Sequence, residues 1–109
     1  MSYNIIRTSE FTKHLKQLAK KYPSLKRDYE ILLSILQTNP TTGTSLGQNC
    51  YKLRWKISSK QTGKSGGARV ITYVKIERKT ITLLDVYDKA DKENITEKDL
   101  SALLKKIDD

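Results

Sequence analysis

The residues of this sequence most suited to catalysis or ligand binding are cations at alternate positions of one short run. In the run CYKLRWKI, from Cys50 to Ile57, the cations Lys52, Arg54 and Lys56 alternate with apolar side chains. Because successive side chains of a β-strand point to opposite faces, the run predicts a strand with three cations on one face. Such a row of cations indicates a ligand that carries phosphate groups.

The positive charge of the chain is concentrated around this strand. The 109 residues have a formal net charge of +9, and residues 50–79 contain nine lysines and arginines against one acid, Glu77. The nine cations are Lys52, Arg54, Lys56, Lys60, Lys64, Arg69, Lys75, Arg78 and Lys79. One explanation is the solvated face of an antiparallel sheet. The sequence favours a nucleic-acid surface, because like charges crowded on one face cost stability unless an anion lies between them.

A polar, glycine-rich segment, SKQTGKSGG, separates this strand from the next one and predicts a long hairpin tip that presents Lys60 and Lys64 to a ligand. Gly63, Lys64 and Ser65 resemble the end of a nucleotide-binding loop. The earlier glycine that such a loop needs falls at Ser58, and the segment joins two strands instead of opening a helix. We therefore expect no nucleotide site there.

The other titratable residues show no catalytic or metal-binding pattern. His14 is the only histidine, which excludes a mechanism with two histidines, and it is expected at the solvated surface of a helix. Asp85, Asp88, Asp91 and Glu93 have irregular spacing among lysines, so we expect solvated charges there. We expect neither a metal nor another cofactor.

Two amphipathic helices are predicted before the cationic strand. After a β-like run from Tyr3 to Arg7, Thr8 and Ser9 offer side-chain oxygens to cap a first helix, Pro23 ends it, and Ser24 can cap a second. The apolar residues that recur at helical spacing are Phe11, Leu15, Leu18 and Tyr22 in the first and Leu25, Tyr29, Leu32 and Leu36 in the second. Since the connection is so short, the helices should form an antiparallel hairpin.

The second half of the chain predicts three strands and a last helix. A surface connection over residues 38–49 precedes strands at Tyr51 to Ser58, Arg69 to Glu77 and Thr80 to Tyr87, the last of which is apolar enough for a central position. Thr96 can cap a helix that carries Leu100, Leu103, Leu104 and Ile107. The order βααβββα predicts an α+β fold with an antiparallel-rich sheet packed against the helical hairpin.

Length and composition predict a single domain over residues 1–109. No apolar run is long enough to span a bilayer, and the first residues lack the pattern of a signal peptide. Cys50 is the only cysteine, so no internal disulfide can form. We expect a cytoplasmic protein that binds nucleic acid or an acidic protein and not a membrane.

The order of elements and the runs CYKLRWKI and GGARVITYV together resemble the RelE/ParE superfamily of toxins from bacterial toxin–antitoxin pairs. The likeness is closest to its RelE-like mRNA interferases and covers nearly the whole chain. Its most specific parts are CYKLR at 50–54 and the glycine followed by ARVI at 68–71. The resemblance implies a RelE-like fold, metal-independent cleavage of mRNA on the ribosome, and silencing by a cognate antitoxin bound to the same face.

The resemblance also implies roles for individual residues. Lys52 and Arg54 match two lysines of the family's strand, Arg69 matches its phosphate-stabilising arginine, and Lys89 falls where the family has an arginine after the last strand. These four are the expected catalytic residues. The expected RNA contacts are Lys56, Lys60, Lys64, Tyr73 and Tyr87. Ile95 occupies the position of the family's base-stacking tyrosine, so Tyr73 or Tyr87 would take that role.

In the expected mechanism, Lys52 deprotonates the 2′-hydroxyl of RNA, Arg54 and Arg69 bind the phosphate, and Lys89 protonates the leaving oxygen. Arg54 cannot serve as the base, because guanidinium does not give up its proton at neutral pH. Two alternatives remain open: a ParE-like toxin that inhibits DNA gyrase without cutting, and a non-catalytic RNA-binding module. The fold alone does not separate the three.

Overall fold

The computed structural model describes residues 2–60, 67–92 and 94–107. The strands are β1 (Asn4–Arg7), β2 (Thr44–Gly47), β3 (Cys50–Trp55), β4 (Ala68–Lys75) and β5 (Thr80–Asp88), and the helices are α1 (Ser9–Lys21), α2 (Leu25–Thr38) and α3 (Glu97–Lys105). These elements confirm the predicted α+β class, with the helical pair before the main strands and one helix after them.

The sheet has five strands in the order β1-β5-β4-β3-β2. β1 pairs with β5 in parallel, and the other neighbouring pairs are antiparallel. β5 lies between two partners, and its residues from Ile81 to Asp88 are all buried. Its near-continuous apolar sequence predicts this covered position.

Three differences from the predicted strands exceed one residue. The connection predicted over residues 38–49 contains β2, a short edge strand that meets β3 through a turn with positive φ at Gln48 (52°) and Asn49 (61°). β3 ends at Trp55 and not at Ser58. β4 ends at Lys75, because Ile76–Arg78 turn into a 3₁₀ helix before β5 begins.

α1 and α2 cover one face of the sheet, which we call the helical face. Phe11, Leu32 and Leu36 are completely buried there and belong to the same apolar core as Leu53 and Trp55 of β3. The two helices thus present their apolar stripes to the sheet, as their periodicity predicts.

The predicted caps of these helices have different outcomes. Thr8 caps α1, since its hydroxyl accepts a hydrogen bond from the amide of Phe11 at 3.1 Å. Ser24 makes no such cap; its hydroxyl donates to the buried carboxylate of Asp28 at 2.7 Å. Asp28 also accepts from the amide of Ser58 at 2.8 Å, and it thereby ties the start of α2 to the chain that follows β3.

The opposite face, which we call the cavity face, is divided between α3 and a polar depression. Thr96 caps α3 as predicted, accepting from the amide of Asp99 at 3.0 Å. Leu100 and Leu103 of α3 pack in one cluster with Cys50 of β3. The polar depression occupies the part of this face where β3 and β4 carry their cations.

Candidate active site

A polar cavity of about 270 Å³ opens on the cavity face. Its walls are formed by Thr44, Lys52, Arg54, Arg69, Lys89 and Asn94. The structure therefore brings together the four residues that the sequence analysis assigns to catalysis, one pair from β3, one residue from β4 and one from the segment after β5.

Strand pairing explains why these cations converge. Arg54 of β3 lies directly opposite Arg69 of β4, and Arg69 lies opposite Tyr87 of β5. Side chains at directly opposite positions share a face of the sheet, with Cβ atoms about 5 Å apart. Lys52 lies two residues before Arg54 and so points to the same face. Like charges placed in this way repel one another, and an anion bound between them offsets that repulsion.

Two glycines allow the backbone to close around the cavity. Gly67, at φ 87°, lies so close to β3 that a Cβ would be 2.5 Å from the carbonyl oxygen of Trp55, and it leads into Arg69 two residues later. Gly43, at φ 108°, precedes β2, and a Cβ there would be 2.6 Å from the carbonyl oxygen of Lys52. Any larger residue at either position would displace the strands that carry the cations.

The cations differ in accessibility. Arg69 is only 4% exposed, and its guanidinium donates to the carbonyl oxygen of Ala68 at 3.1 Å, so it forms the floor of the cavity. Arg54 is exposed at the wall. The ammonium of Lys52 donates to the side-chain oxygen of Asn94 at 3.0 Å.

Thr44 and Asn94 line the cavity but were not predicted as site residues. Thr44 belongs to β2 and pairs with Lys52, so its place follows from a strand that the sequence analysis does not predict. Asn94 lies in the connection between β5 and α3, where no periodic pattern marks it. Gln48 and Asn49 form a two-residue turn with positive φ, the geometry that joins hairpin strands, and Asn49 is the sequence signal for it because Asn adopts positive φ more readily than most residues.

Two of the three predicted lysine contacts, Lys56 and Lys60, do not line the cavity. The Lys60 side chain is 7% exposed, and its ammonium donates to the buried carboxylate of Asp88 at 2.5 Å, so it does not extend into a hairpin tip as expected. Lys56 is exposed beyond the end of β3 and is not among the lining residues. Lys64 and the rest of the Gly63 to Ser65 segment lie outside the described residues.

The two tyrosines expected to stack on a base do not line the cavity either. Tyr73 lies four residues beyond Arg69 on β4 and borders a separate cavity with Leu104 and Ile107. Tyr87 is 8% exposed, and the ammonium of Lys92 lies 4.8 Å from the centre of its ring. Burial raises the pKa of the Tyr87 hydroxyl. Among the described residues that line the candidate site, none is aromatic.

Several groups predicted to be solvated are buried or paired. Asp85 and Asp88 are 6% and 2% exposed, and the ring of His14 lies 2.5 Å from a carboxylate oxygen of Asp85. His14 therefore links α1 to β5 and is not a free surface residue. Within residues 2–60, 67–92 and 94–107, no group of His, Cys, Asp or Glu is arranged to hold a metal ion.

The buried thiol of Cys50 is not a reactive group. Burial raises its pKa to about 11, which keeps it protonated at neutral pH.

In the part of the chain that the structure describes, no helix has the length and apolar character needed to cross a bilayer.

A comparison with protein-family models matches residues 4–108 to the RelE toxin of the RelE/RelB toxin–antitoxin system. The chain belongs to the RelE toxin family. This match confirms the resemblance found in the sequence, since it covers the helices, all the strands and the four cations of the cavity. A comparison with curated proteins finds no match for this RelE-family chain.

Solved structures of similar fold include relatives from two bacteria. A double mutant of the Escherichia coli toxin RelE in its free state is 18% identical, with a TM-score of 0.61 over 98% of this chain and 99% of that one. RelE in the intact E. coli RelBE toxin–antitoxin complex is 17% identical, with a TM-score of 0.60 over 80% of this chain and 96% of that one. The RelBE2 toxin–antitoxin complex from Mycobacterium tuberculosis is 18% identical, with a TM-score of 0.59 over 84% of this chain and 95% of that one. At these identities the likeness shows the RelE fold.

The cavity of this RelE-family chain is suited to a phosphodiester. Two guanidinium groups offer paired donors in the planar geometry that matches phosphate oxygens, and two amines flank them as compact point charges. Thr44 and Asn94 add a hydroxyl and a carboxamide, which can donate to a ribose or a base edge. The arrangement thus offers charge for phosphate and hydrogen bonds for the nucleoside.

Proposed function

We propose that this RelE-family chain is the toxin of a toxin–antitoxin pair and acts as a metal-independent endonuclease on mRNA in the ribosome. The observation that carries the proposal is the convergence of Lys52, Arg54, Arg69 and Lys89 on one cavity. A surface that only attracts RNA needs cations spread along it, whereas cleavage needs them around a single phosphate. The family match supplies the wider frame of a RelE toxin.

The proposed reaction is attack of the RNA on its own backbone. Lys52 as a neutral amine takes the proton of the 2′-hydroxyl, and the 2′-oxygen forms a bond to phosphorus. Arg54 and Arg69 bind the non-bridging oxygens, whose negative charge grows in the pentacoordinate transition state. The bond from phosphorus to the 5′-oxygen then breaks, and Lys89 gives its proton to that oxygen. The products are a 2′,3′-cyclic phosphate and a free 5′-hydroxyl.

We propose that cleavage depends on the ribosome because the chain's own acid and base groups are weak. Lysine is a poor base and a poor acid at neutral pH, since its ordinary pKa of about 10.4 lies far from 7. Holding the 2′-oxygen in line with the phosphorus can supply much of the remaining acceleration. We propose that an mRNA held in the ribosome is presented in that geometry, which also places the activity in the cytoplasm.

A cognate antitoxin is the second proposed partner. Relatives of this fold have been solved as RelBE toxin–antitoxin complexes. The chain carries a formal net charge of +9, so an acidic partner that covers the cavity face would bind with favourable electrostatics and exclude RNA. We propose that silencing works by this occlusion.

The test is induction of the chain without its antitoxin, followed by mapping of the 5′ ends of cellular mRNA. We expect growth to stop and new 5′ ends to accumulate within translated regions. Intact transcripts alongside broken DNA would contradict the proposal and support inhibition of gyrase. Intact transcripts and intact DNA, with RNA still bound, would identify a binding module.

A further inference from the structure

A buried carboxylate lies directly behind the proposed active site. The side chain of Asp88, the last residue of β5, is completely buried. It accepts hydrogen bonds from the hydroxyl of Tyr22 at 2.6 Å, the ammonium of Lys60 at 2.5 Å and the amide of Ala90 at 2.9 Å. These donors come from the end of α1, from the segment after β3 and from the segment after β5, so one carboxylate joins three parts of the chain.

Lys60 extends this connection to β4. Its ammonium also donates to the carbonyl oxygen of Gly67 at 3.0 Å. The same carbonyl accepts from the amide of Lys89 at 3.3 Å. Lys60 and Gly67, which lie in the connection between β3 and β4, are thereby fixed to the end of β5 through one ammonium and one carboxylate.

The network holds the backbone of two proposed catalytic residues without entering their cavity. Asp88 pairs in register with Ala68, and both side chains lie on the helical face. Lys89 directly follows Asp88, and Arg69 directly follows Ala68. Because side chains alternate along a strand, Arg69 points to the cavity face. The network thus acts from the helical face and fixes Ala68 and Asp88, the residues that directly precede Arg69 and Lys89.

Stability alone does not explain such a network. Removing a lysine and an aspartate from water costs about as much free energy as their mutual attraction gains. Apolar residues of the same volume often stabilise a core as well or better. What the ion pair adds is geometry, because a carboxylate that must satisfy several donors fixes all of them in direction and distance. A looser apolar contact would leave the hairpin and the end of β5 free to shift.

From these contacts we infer that Asp88 and Lys60 are positioning residues, which set the spacing between Arg69 and Lys89 that cleavage requires. The inference rests on the proposed function. It predicts that loss of the network lowers the maximal rate of cleavage and leaves RNA binding unchanged, because all the cations of the cavity remain. A misplacement of about 1 Å can cost on the order of 10²-fold in rate.

The test uses a triple variant of the full chain, Tyr22→Phe, Lys60→Met and Asp88→Leu, in single-turnover cleavage on ribosomes loaded with mRNA. It replaces the buried charges and the phenol by apolar groups of similar size. We expect cooperative thermal unfolding, an unchanged half-saturating ribosome concentration, and a maximal rate reduced about 10- to 100-fold. The matched control is Glu10→Gln with Lys106→Met, which removes a partly exposed ion pair of 3.5 Å and should cleave at the wild-type rate.

Each outcome decides the inference. A wild-type maximal rate in the triple variant, or an equal loss in the control, would overturn it. If the triple variant does not fold, Tyr22→Phe alone decides, since it removes one hydrogen bond from Asp88; we expect a loss of about threefold, and an unchanged rate would overturn the inference. A wild-type chain that cleaves no RNA would overturn the proposed function as well, whereas normal cleavage by wild type and variants would overturn the positioning role only.

Discussion

The two faces of the sheet use the same strands for different purposes. On the helical face, β3 contributes Leu53 and Trp55 to a continuous apolar core under α1 and α2. On the cavity face, the intervening residues Lys52 and Arg54 line a polar cavity. Alternation along a strand thus separates the residues that stabilise the fold from those that would act on a ligand, although they are neighbours in the sequence.

This separation has an energetic consequence. Each apolar side chain on the helical face gains stability by leaving water, at about 25 cal/mol per Å² of apolar area. The cations of the cavity face gain nothing comparable, and their mutual repulsion opposes folding. Changes in the apolar core of the helical face should therefore act on stability, and changes on the cavity face should act on RNA; the Asp88 network is the exception, because it holds the backbone of Arg69 and Lys89 from the helical face.

The largest expected effect on stability is on the helical face. Leu32 of α2 is completely buried in the core. Leu32→Ala should lower the free energy of unfolding by about 2–5 kcal/mol, because it removes apolar contacts and leaves a cavity. Urea unfolding followed by circular dichroism measures this loss. Cleavage per folded molecule should stay at the wild-type value; a fall beyond the loss of folded protein would break the separation of the two faces.

Acid pH should destabilise the protein through two buried carboxylates, Asp28 and Asp88, whose pKa values are lowered by folding. Burial opposes ionisation of both carboxyl groups, but hydrogen bonds to the carboxylates outweigh it, so each pKa lies below its ordinary value. Ser24 and Ser58 donate these hydrogen bonds to Asp28, and Lys60 and Tyr22 donate them to Asp88. A carboxyl with a lowered folded pKa adds stability above its unfolded pKa of about 3.9 and loses it as the pH falls through the folded value.

The stability of the wild type should therefore be constant near neutral pH and fall below about pH 4. Asp88→Asn should be less stable at neutral pH and should flatten the acid part of the curve, since it removes one carboxyl group whose pKa is lowered by folding. Thermal unfolding between pH 7 and pH 2 gives both results. An acid dependence unchanged in Asp88→Asn would show that the pKa of this carboxyl is not lowered by folding.

The smallest expected effect on stability is on the cavity face. Arg54→Gln removes one of two arginines that lie opposite each other, so it should leave the free energy of unfolding unchanged or raise it by up to about 1 kcal/mol. It should also weaken RNA binding and reduce the slope of log affinity against log salt by about 0.7, the value for one contact to single-stranded RNA. Affinity measured across a salt series tests this. An unchanged slope would mean that Arg54 makes no phosphate contact.

The sequence predicts the helical face and the cationic strand well, because both depend on local periodicity. The spacing of Phe11, Leu32 and Leu36 predicts helices that pack on a sheet, and the alternation around Lys52 and Arg54 predicts which strand residues share a face. The convergence of Arg69 and Lys89 on the same cavity was expected only from the resemblance to a family. Periodicity does not reveal which strands pair.

What the sequence does not reveal depends on contacts between distant residues. Asp88 stands beside a lysine in a charged stretch that suggests solvent, yet its partners Lys60 and Tyr22 lie 28 and 66 residues away in the chain. The burial of Asp88 therefore follows from the assembled sheet and α1, not from local pattern. β2 was missed for a different reason, since its four residues, TSLG, show no apolar alternation.

The proposed function requires that the cavity stabilises charge during cleavage and does not merely attract RNA. Arg69→Lys tests it most directly, because lysine keeps the positive charge at the floor of the cavity and loses the planar, paired donors. Single-turnover cleavage on ribosomes loaded with mRNA, measured beside a binding isotherm, gives the rate and the affinity for the same variant. We predict nearly wild-type binding and a cleavage rate reduced by about 10²-fold or more. Equal and small losses in both would contradict this role in cleavage and leave Arg69 as one phosphate contact among several.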